Sequence, residues 1–185
     1  KKLALTAALY RTSIENEVES DGAGGYVQTG KKRVQGLELG VTGALTPKWD
    51  VMAGYSLMNT SVASGAVQTA SGENVLSYTP RQTFTSWTTY KLDSGIKFGG
   101  GARFVGRMYR GSDGAAASPT PTPRYVQSYW VWDAMASYEV SKNLTLQLNA
   151  YNIFNKDYVA SINESGYRYT PGLARSAVLT ANIKF

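Results

Sequence analysis

The residues able to do chemistry in this sequence are arginines and tyrosines, and their types point to binding rather than to bond breaking. Arg103, Arg107, Tyr109, Arg110, Arg124, Tyr125, Tyr167, Arg168 and Tyr169 fall in a few short stretches of the second half. Arginine brings a permanent charge, a planar fork of donors and a face that stacks on rings. The 185 residues contain no His and no Cys. That excludes Ser-His-Asp and Cys-His catalysis, thiolate metal sites and a disulfide framework. The usual base of a barrel hydrolase is missing too, so the chain is not read as an enzyme and no catalytic residue is assigned. Glu17, Glu19, Asp21 and Gly22 imitate the first half of a calcium loop, but Gln28 stands where the bidentate Glu belongs, so no metal site is assigned. Gly22-Ala23-Gly24-Gly25 lacks a helix-entry pattern and reads as a loop hinge, not a phosphate cradle.

The elements that must position these residues are strands. Charged residues make up 17% of the chain, below the roughly 25% of ordinary soluble domains. Apolar residues recur with period two. Leu3, Leu5, Ala7 and Leu9 share one face, as do Leu37, Leu39, Val41 and Leu45, then Trp49, Val51, Ala53, Tyr55 and Leu57. The pattern continues through Phe84–Leu92, Phe98–Met108, Trp130–Val140, Leu144–Ala150 and Ala177–Phe185, which makes eight strand candidates. Their connections alternate between tight turns at 46–48, 93–95 and 141–143 and long loops at about 19–33, 62–79, 111–124 and 159–172. Short turns on one side and long loops on the other mark an all-β, antiparallel, up-and-down transmembrane barrel. The apolar faces carry aromatics near their ends, as two interfacial girdles require: Trp130 and Trp132 at one end, and Tyr138, Tyr90, Trp49 and Phe185 at the other.

The opposite faces hold Glu38, Arg103, Arg107, Gln147, Asn149 and Lys184, which makes a wet lumen. The long loops then face outward from the cell, and the Arg and Tyr residues gather at the outer mouth. Pro119-Thr120-Pro121-Thr122-Pro123 reads as extended, polyproline-like spacer. The basic run Lys31-Lys32-Arg33, at the end of a membrane strand, fits lipopolysaccharide phosphates or solvent rather than nucleic acid. Eight strands could close alone into a small barrel, and a passive porin is a further alternative. Small inward Ala, Gly and Thr residues favour a wider barrel.

Four motifs then carry a resemblance. Asn149-Ala150-Tyr151-Asn152-Ile153-Phe154-Asn155-Lys156-Asp157-Tyr158, followed by Gly166-Tyr167-Arg168-Tyr169-Thr170-Pro171-Gly172-Leu173-Ala174-Arg175 and a strand ending in Phe185, resembles the end of TonB-dependent outer-membrane receptors. Ala174 stands where that family usually has Pro. Val34-Gln35-Gly36-Leu37-Glu38 resembles the family's Gly-x-Glu strand, and Tyr78-Thr79-Pro80-Arg81-Gln82-Thr83-Phe84 its strand entry. The region around Tyr158 and Tyr167 is most similar to catecholate siderophore receptors of the Fiu type.

The resemblance implies that residues 1–185 correspond to about eight C-terminal strands of a 22-stranded barrel in a Gram-negative outer membrane. The plug domain and TonB box that the family carries are absent from these residues. It also implies TonB-dependent uptake of ferric siderophores, with catecholates as the ligand class. The ligand brings its own iron, so no cofactor is expected. Arg103, Arg107, Tyr109, Arg110, Arg124, Tyr167, Arg168 and Tyr169 become the candidate outer-mouth ligand residues. The implied partners are the siderophore, outer-membrane lipid and lipopolysaccharide, the TonB complex through the plug, and the barrel-assembly machinery, which reads a terminal aromatic such as Phe185.

Overall fold

The computed structural model describes residues 3–20, 25–64, 69–111, 123–163 and 166–185. Their strands are β1 (Leu3–Ser20), β2 (Tyr26–Thr46), β3 (Trp49–Ser64), β4 (Gln82–Lys91), β5 (Ile96–Val105), β6 (Met108–Tyr109), β7 (Tyr125–Val126), β8 (Tyr129–Ser141), β9 (Leu144–Tyr151), β10 (Val159–Ile162), β11 (Tyr169–Pro171) and β12 (Ser176–Ile183). No helix occurs among the described residues. The eight long strands form one antiparallel sheet in the order β1-β2-β3-β4-β5-β8-β9-β12. β6 with β7 and β10 with β11 make two short ribbons beyond its far end.

Period-two alternation sorts the side chains as the sequence predicts. The register Trp49↔Tyr90↔Phe98↔Ala136↔Leu148↔Leu179 is one row of the apolar face. Leu39↔Tyr55↔Phe84↔Phe104↔Trp130 is another. Ring contacts run along both. Near the short turns, Trp49 meets Tyr90 at 6.5 Å and Tyr90 meets Phe98 at 5.7 Å. At the other end, Phe104 and Phe84 approach Trp130 at 4.9 and 5.8 Å, and Trp132 meets Phe154 at 6.3 Å. These are the two aromatic girdles, about six residues of strand apart on β3, β4 and β5.

Each tight turn has a local cause. The Thr46 hydroxyl accepts from the Lys48 amide at 3.3 Å, and the Ser141 hydroxyl from the Asn143 amide at 3.2 Å. Gly95 takes φ 86°, a conformation that glycine adopts without steric cost. Adjacent short turns are tied by Lys48–Asp93 at 2.6 Å and Lys91–Glu139 at 3.0 Å. The bond to Asp93 raises the Lys48 ammonium above its ordinary 10.5.

Three of the expected long loops contain more strand than the sequence suggested. The 19–33 stretch is mostly hairpin, because β1 runs to Ser20 and β2 starts at Tyr26. Cross-strand pairs Glu15–Lys31 at 2.7 Å and Glu17–Lys32 at 2.6 Å extend the ladder past the apolar segment, around a bulge where Asn16 has φ 59°. The basic run is therefore inside a strand, not at its end, and Lys32 is held by Glu17. β3 similarly runs on to Ser64, into the 62–79 stretch. The 159–172 stretch folds as the β10–β11 hairpin. Asp21, Gly22, the hinge residues 22–24 and Pro119–Thr122 lie outside the described residues. Among the described residues β1 pairs only with β2, and β12 only with β9. The sheet is an open arc and not the closed eight-stranded barrel held open as an alternative.

Candidate ligand-binding site

The polar face is built outward from the far ends of β5 and β8. Arg103 lies on that face of β5 and Tyr129 opens β8 on the same face. Between them comes Tyr158. Its ring lies 4.3 Å from that of Tyr129, tilted by 32°, and its hydroxyl accepts from Arg103 Nη2 at 3.4 Å. Arg103 thus turns to a phenol.

Tyr158 reaches this place through the turn that ends β9. Asn152, 2% exposed with φ 49°, is the centre of that turn. Its Nδ2 donates to the carbonyls of Lys156 at 2.9 Å and Leu173 at 2.8 Å, and its Oδ1 accepts from the Lys156 amide at 2.8 Å. Its own amide donates to Asp133 at 2.8 Å. Asn155 Oδ1 accepts from the Arg175 amide at 3.2 Å, tying the same turn to the start of β12. Gly172 completes the support: its amide donates to the Tyr158 carbonyl at 2.7 Å, and any Cβ there would overlap the Tyr158 ring. The Asn, Lys, Tyr and Gly of the terminal motifs are therefore one hydrogen-bonded cradle for Tyr158.

A cleft of about 390 Å³ opens between segment 123–129 and segment 156–162. Tyr125, Tyr129, Tyr158 and Tyr169 present rings to it, with Lys156 and Asp157 at its polar side. Val126 and Ile162, both under 9% exposed, form the small core that holds the two segments together. Tyr125 is itself braced. The Arg107 guanidinium carbon sits 4.4 Å from its ring centroid and the Tyr109 ring meets it edge-on at 6.4 Å. Such an arrangement can hold a planar, electron-rich, anionic molecule, through ring faces and a few cations in a partly dry space.

The eight sequence candidates divide. Tyr169 lines the cleft, while Arg103, Arg107 and Tyr109 touch the rings that line it. Arg110 is 6% exposed and its Nε donates to the Pro123 carbonyl at 3.1 Å, so it braces the backbone just before β7. Arg124 is exposed, and its carbonyl accepts from the Arg110 amide at 2.9 Å. Tyr167 and Arg168 lie exposed near the tip of the β10–β11 hairpin, away from the cleft lining. The sequence reading passed over Tyr129, Lys156, Asp157 and Tyr158 as site residues. Tyr129 carried a signal, since it alternates onto the polar face next to Trp130. Tyr158 had none beyond its motif, because its neighbours are brought in from other strands.

The sequence profile of TonB dependent receptor-like β-barrels matches residues 1–153. The chain belongs to this family. It is 50% identical over 185 residues to the catecholate siderophore receptor Fiu of Escherichia coli K12, covering all of this chain and 24% of that protein. The probable TonB-dependent receptor BfrD of Bordetella pertussis is 38% identical over 186 residues, with 25% of its length covered. The solved closed form of Fiu superposes with a TM-score of 0.92 over the whole chain and 26% of that structure. The siderophore receptor PiuA of Acinetobacter baumannii, 35% identical, superposes with a TM-score of 0.85 over 26% of its structure. The chain thus spans about a quarter of the length of the relatives it matches. Family membership orients the sheet: the apolar face meets the Gram-negative outer membrane, and the polar face with its cleft lines the lumen side.

Proposed function

We propose that this chain is the wall and outer mouth of a receptor for energy-coupled uptake of ferric siderophores, with catecholates as the ligand class. The observation that carries the reading is the four-tyrosine cleft with Arg107 stacked on Tyr125 and Arg103 bonded to Tyr158. Ferric catecholates are anionic and planar at their rim, so ring faces and guanidinium groups suit both properties. Half identity to a catecholate siderophore receptor supports the same class. A passive porin has no need of such a cleft. The iron travels as cargo inside its siderophore. Coupling to the TonB complex would run through a plug domain, and Phe185 would serve the barrel-assembly machinery. Deleting Phe185 from the full-length protein is expected to lower its outer-membrane level in a quantitative blot, and unchanged abundance would remove that role.

The site is tested in the full-length receptor by labelled-iron uptake with catecholate and hydroxamate siderophores side by side. Replacing Arg107, Tyr125 and Tyr169 together by Ala is expected to weaken catecholate uptake at least about tenfold, equivalent to about 1.4 kcal/mol. Replacing the exposed Arg168 alone is expected to change little, because a lone screened charge contributes weakly. Wild-type catecholate uptake by the triple variant would show the cleft to be the wrong site. A preference of the wild type for hydroxamates would instead overturn the ligand class.

A further inference from the structure

The cleft holds one charge that works against an anionic ligand. Of the residues that line it only Lys156 and Asp157 are charged. A carboxylate beside a surface that receives an anion opposes binding by like-charge repulsion. A neighbouring cation would cancel it, but none does so here. Among the described residues no ion pair or hydrogen bond engages the side chain of Asp157 or of Lys156. Arg103 is turned to the Tyr158 hydroxyl and Arg107 to the Tyr125 ring.

The backbone at Asp157 is also held in place from both sides. Asn152 bonds the amide and the carbonyl of Lys156, at 2.8 and 2.9 Å. On the other side, the Tyr158 ring rests on Gly172 and stacks on Tyr129, and the Tyr158 carbonyl accepts from the Gly172 amide at 2.7 Å. The carboxylate therefore stands at a fixed place on the polar side of the cleft, beside the ring stack. A group on ordered backbone loses little entropy when it meets a partner.

We propose that Asp157 selects, among ferric catecholates, those that carry a cationic amine arm. The arm meets this carboxylate while the catechol rings lie on the tyrosine faces, and Lys156 is left for the anionic part of the ligand. The proposal deepens the catecholate reading and rests on it. A hydroxyl arm would leave the carboxylate unmatched, and a carboxylate arm would meet it as a like charge. A bare inorganic cation is a poorer occupant, because one carboxylate supplies too few oxygen ligands to hold it. Asp157 is exposed, so the discrimination is moderate, about fivefold.

The test uses the full-length receptor in cells and synthetic ferric catecholates that differ only in one arm: ammonium, hydroxyl or carboxylate. Wild type is expected to take up labelled iron from the ammonium form with a half-saturation about fivefold lower than from the hydroxyl form, at similar maximal rates. The carboxylate form should rank last. D157N is expected to bring the ammonium and hydroxyl forms within about 1.5-fold of each other. D157K is expected to place the carboxylate form first. E73Q changes the net charge as D157N does, but in the segment before β4 and away from the cleft lining, so it should keep the wild-type ratio. With purified receptor, the wild-type preference in Kd should shrink as salt rises, because an exposed charge is screened. Heat-modifiable migration confirms that each barrel is folded, and should one Asp157 variant fail to fold, the other decides together with the wild-type ranking. Equal uptake of all three forms by wild type would overturn this proposal alone. So would an unchanged ratio in D157N, or the same loss of preference in E73Q. Uptake of none of the three, with hydroxamates transported, would overturn the catecholate reading and this proposal with it.

Discussion

Asn152 shows how much one side chain can fix in this fold. It occupies a left-handed conformation that asparagine tolerates better than most residues. Its amide serves groups both 4 and 21 positions away, Lys156 and Leu173. Removing it leaves those backbone groups unpaired in a buried place, at about 1–3 kcal/mol for each group that water does not reach. N152A is therefore expected to lower the stability of the full-length barrel by about 2 kcal/mol or more in urea titration. It should also weaken catecholate uptake, since Tyr158 loses its support. N155A, which removes an exposed side chain that accepts from the Arg175 amide at 3.2 Å, should cost less. Equal midpoints for N152A and wild type would show that the turn stands without the amide. The motif around Asn152 was visible in the sequence as a resemblance. Its role was not, because Leu173 and Asp133 come to it only through tertiary folding.

At the scale of the element, the long strands were legible and the short ones were not. β4, β5, β8 and β9 repeat their two faces over eight or more residues, so lipid on one side and water on the other leave a clear period. β6 and β7 have two residues each, and β10 and β11 have four and three, too few to show any period. Their pairing is decided by what they pack on. Within β9 the two-face argument makes a sharp prediction. Leu148 points to lipid between the girdles and is 47% exposed in the sheet. Gln147, its neighbour, is on the polar face and donates to Asn149 Oδ1 at 3.0 Å. L148R is expected to cost about 2–4 kcal/mol in folding into bilayers, while Q147R costs under about 1 kcal/mol. Equal costs would mean that the two faces of β9 meet the same solvent, against the membrane reading of the whole sheet.

For the whole molecule, the decisive feature is that the sheet has two edges. β1 presents 18 residues and β12 presents 8, and among the described residues neither edge is paired on its outer side. In water an open edge invites association with other strands. In the bilayer each unpaired amide or carbonyl costs several kcal/mol, so an arc that exposes a row of them to lipid is unstable by far more than a folded domain can absorb. Closing β1 onto β12 would satisfy the edges, but their lengths differ by more than a factor of two, which would leave much of β1 unpaired. The physically consistent solution is that further strands complete the wall, in keeping with relatives about four times as long as this chain. Residues 1–185 refolded alone into detergent or lipid are therefore expected to yield associated material and no heat-modifiable monomer. The same residues supplied together with the remaining strands of the receptor are expected to give a protected, heat-modifiable barrel. A stable, heat-modifiable monomer from residues 1–185 alone would mean that β1 and β12 do meet, and would restore the small eight-stranded barrel.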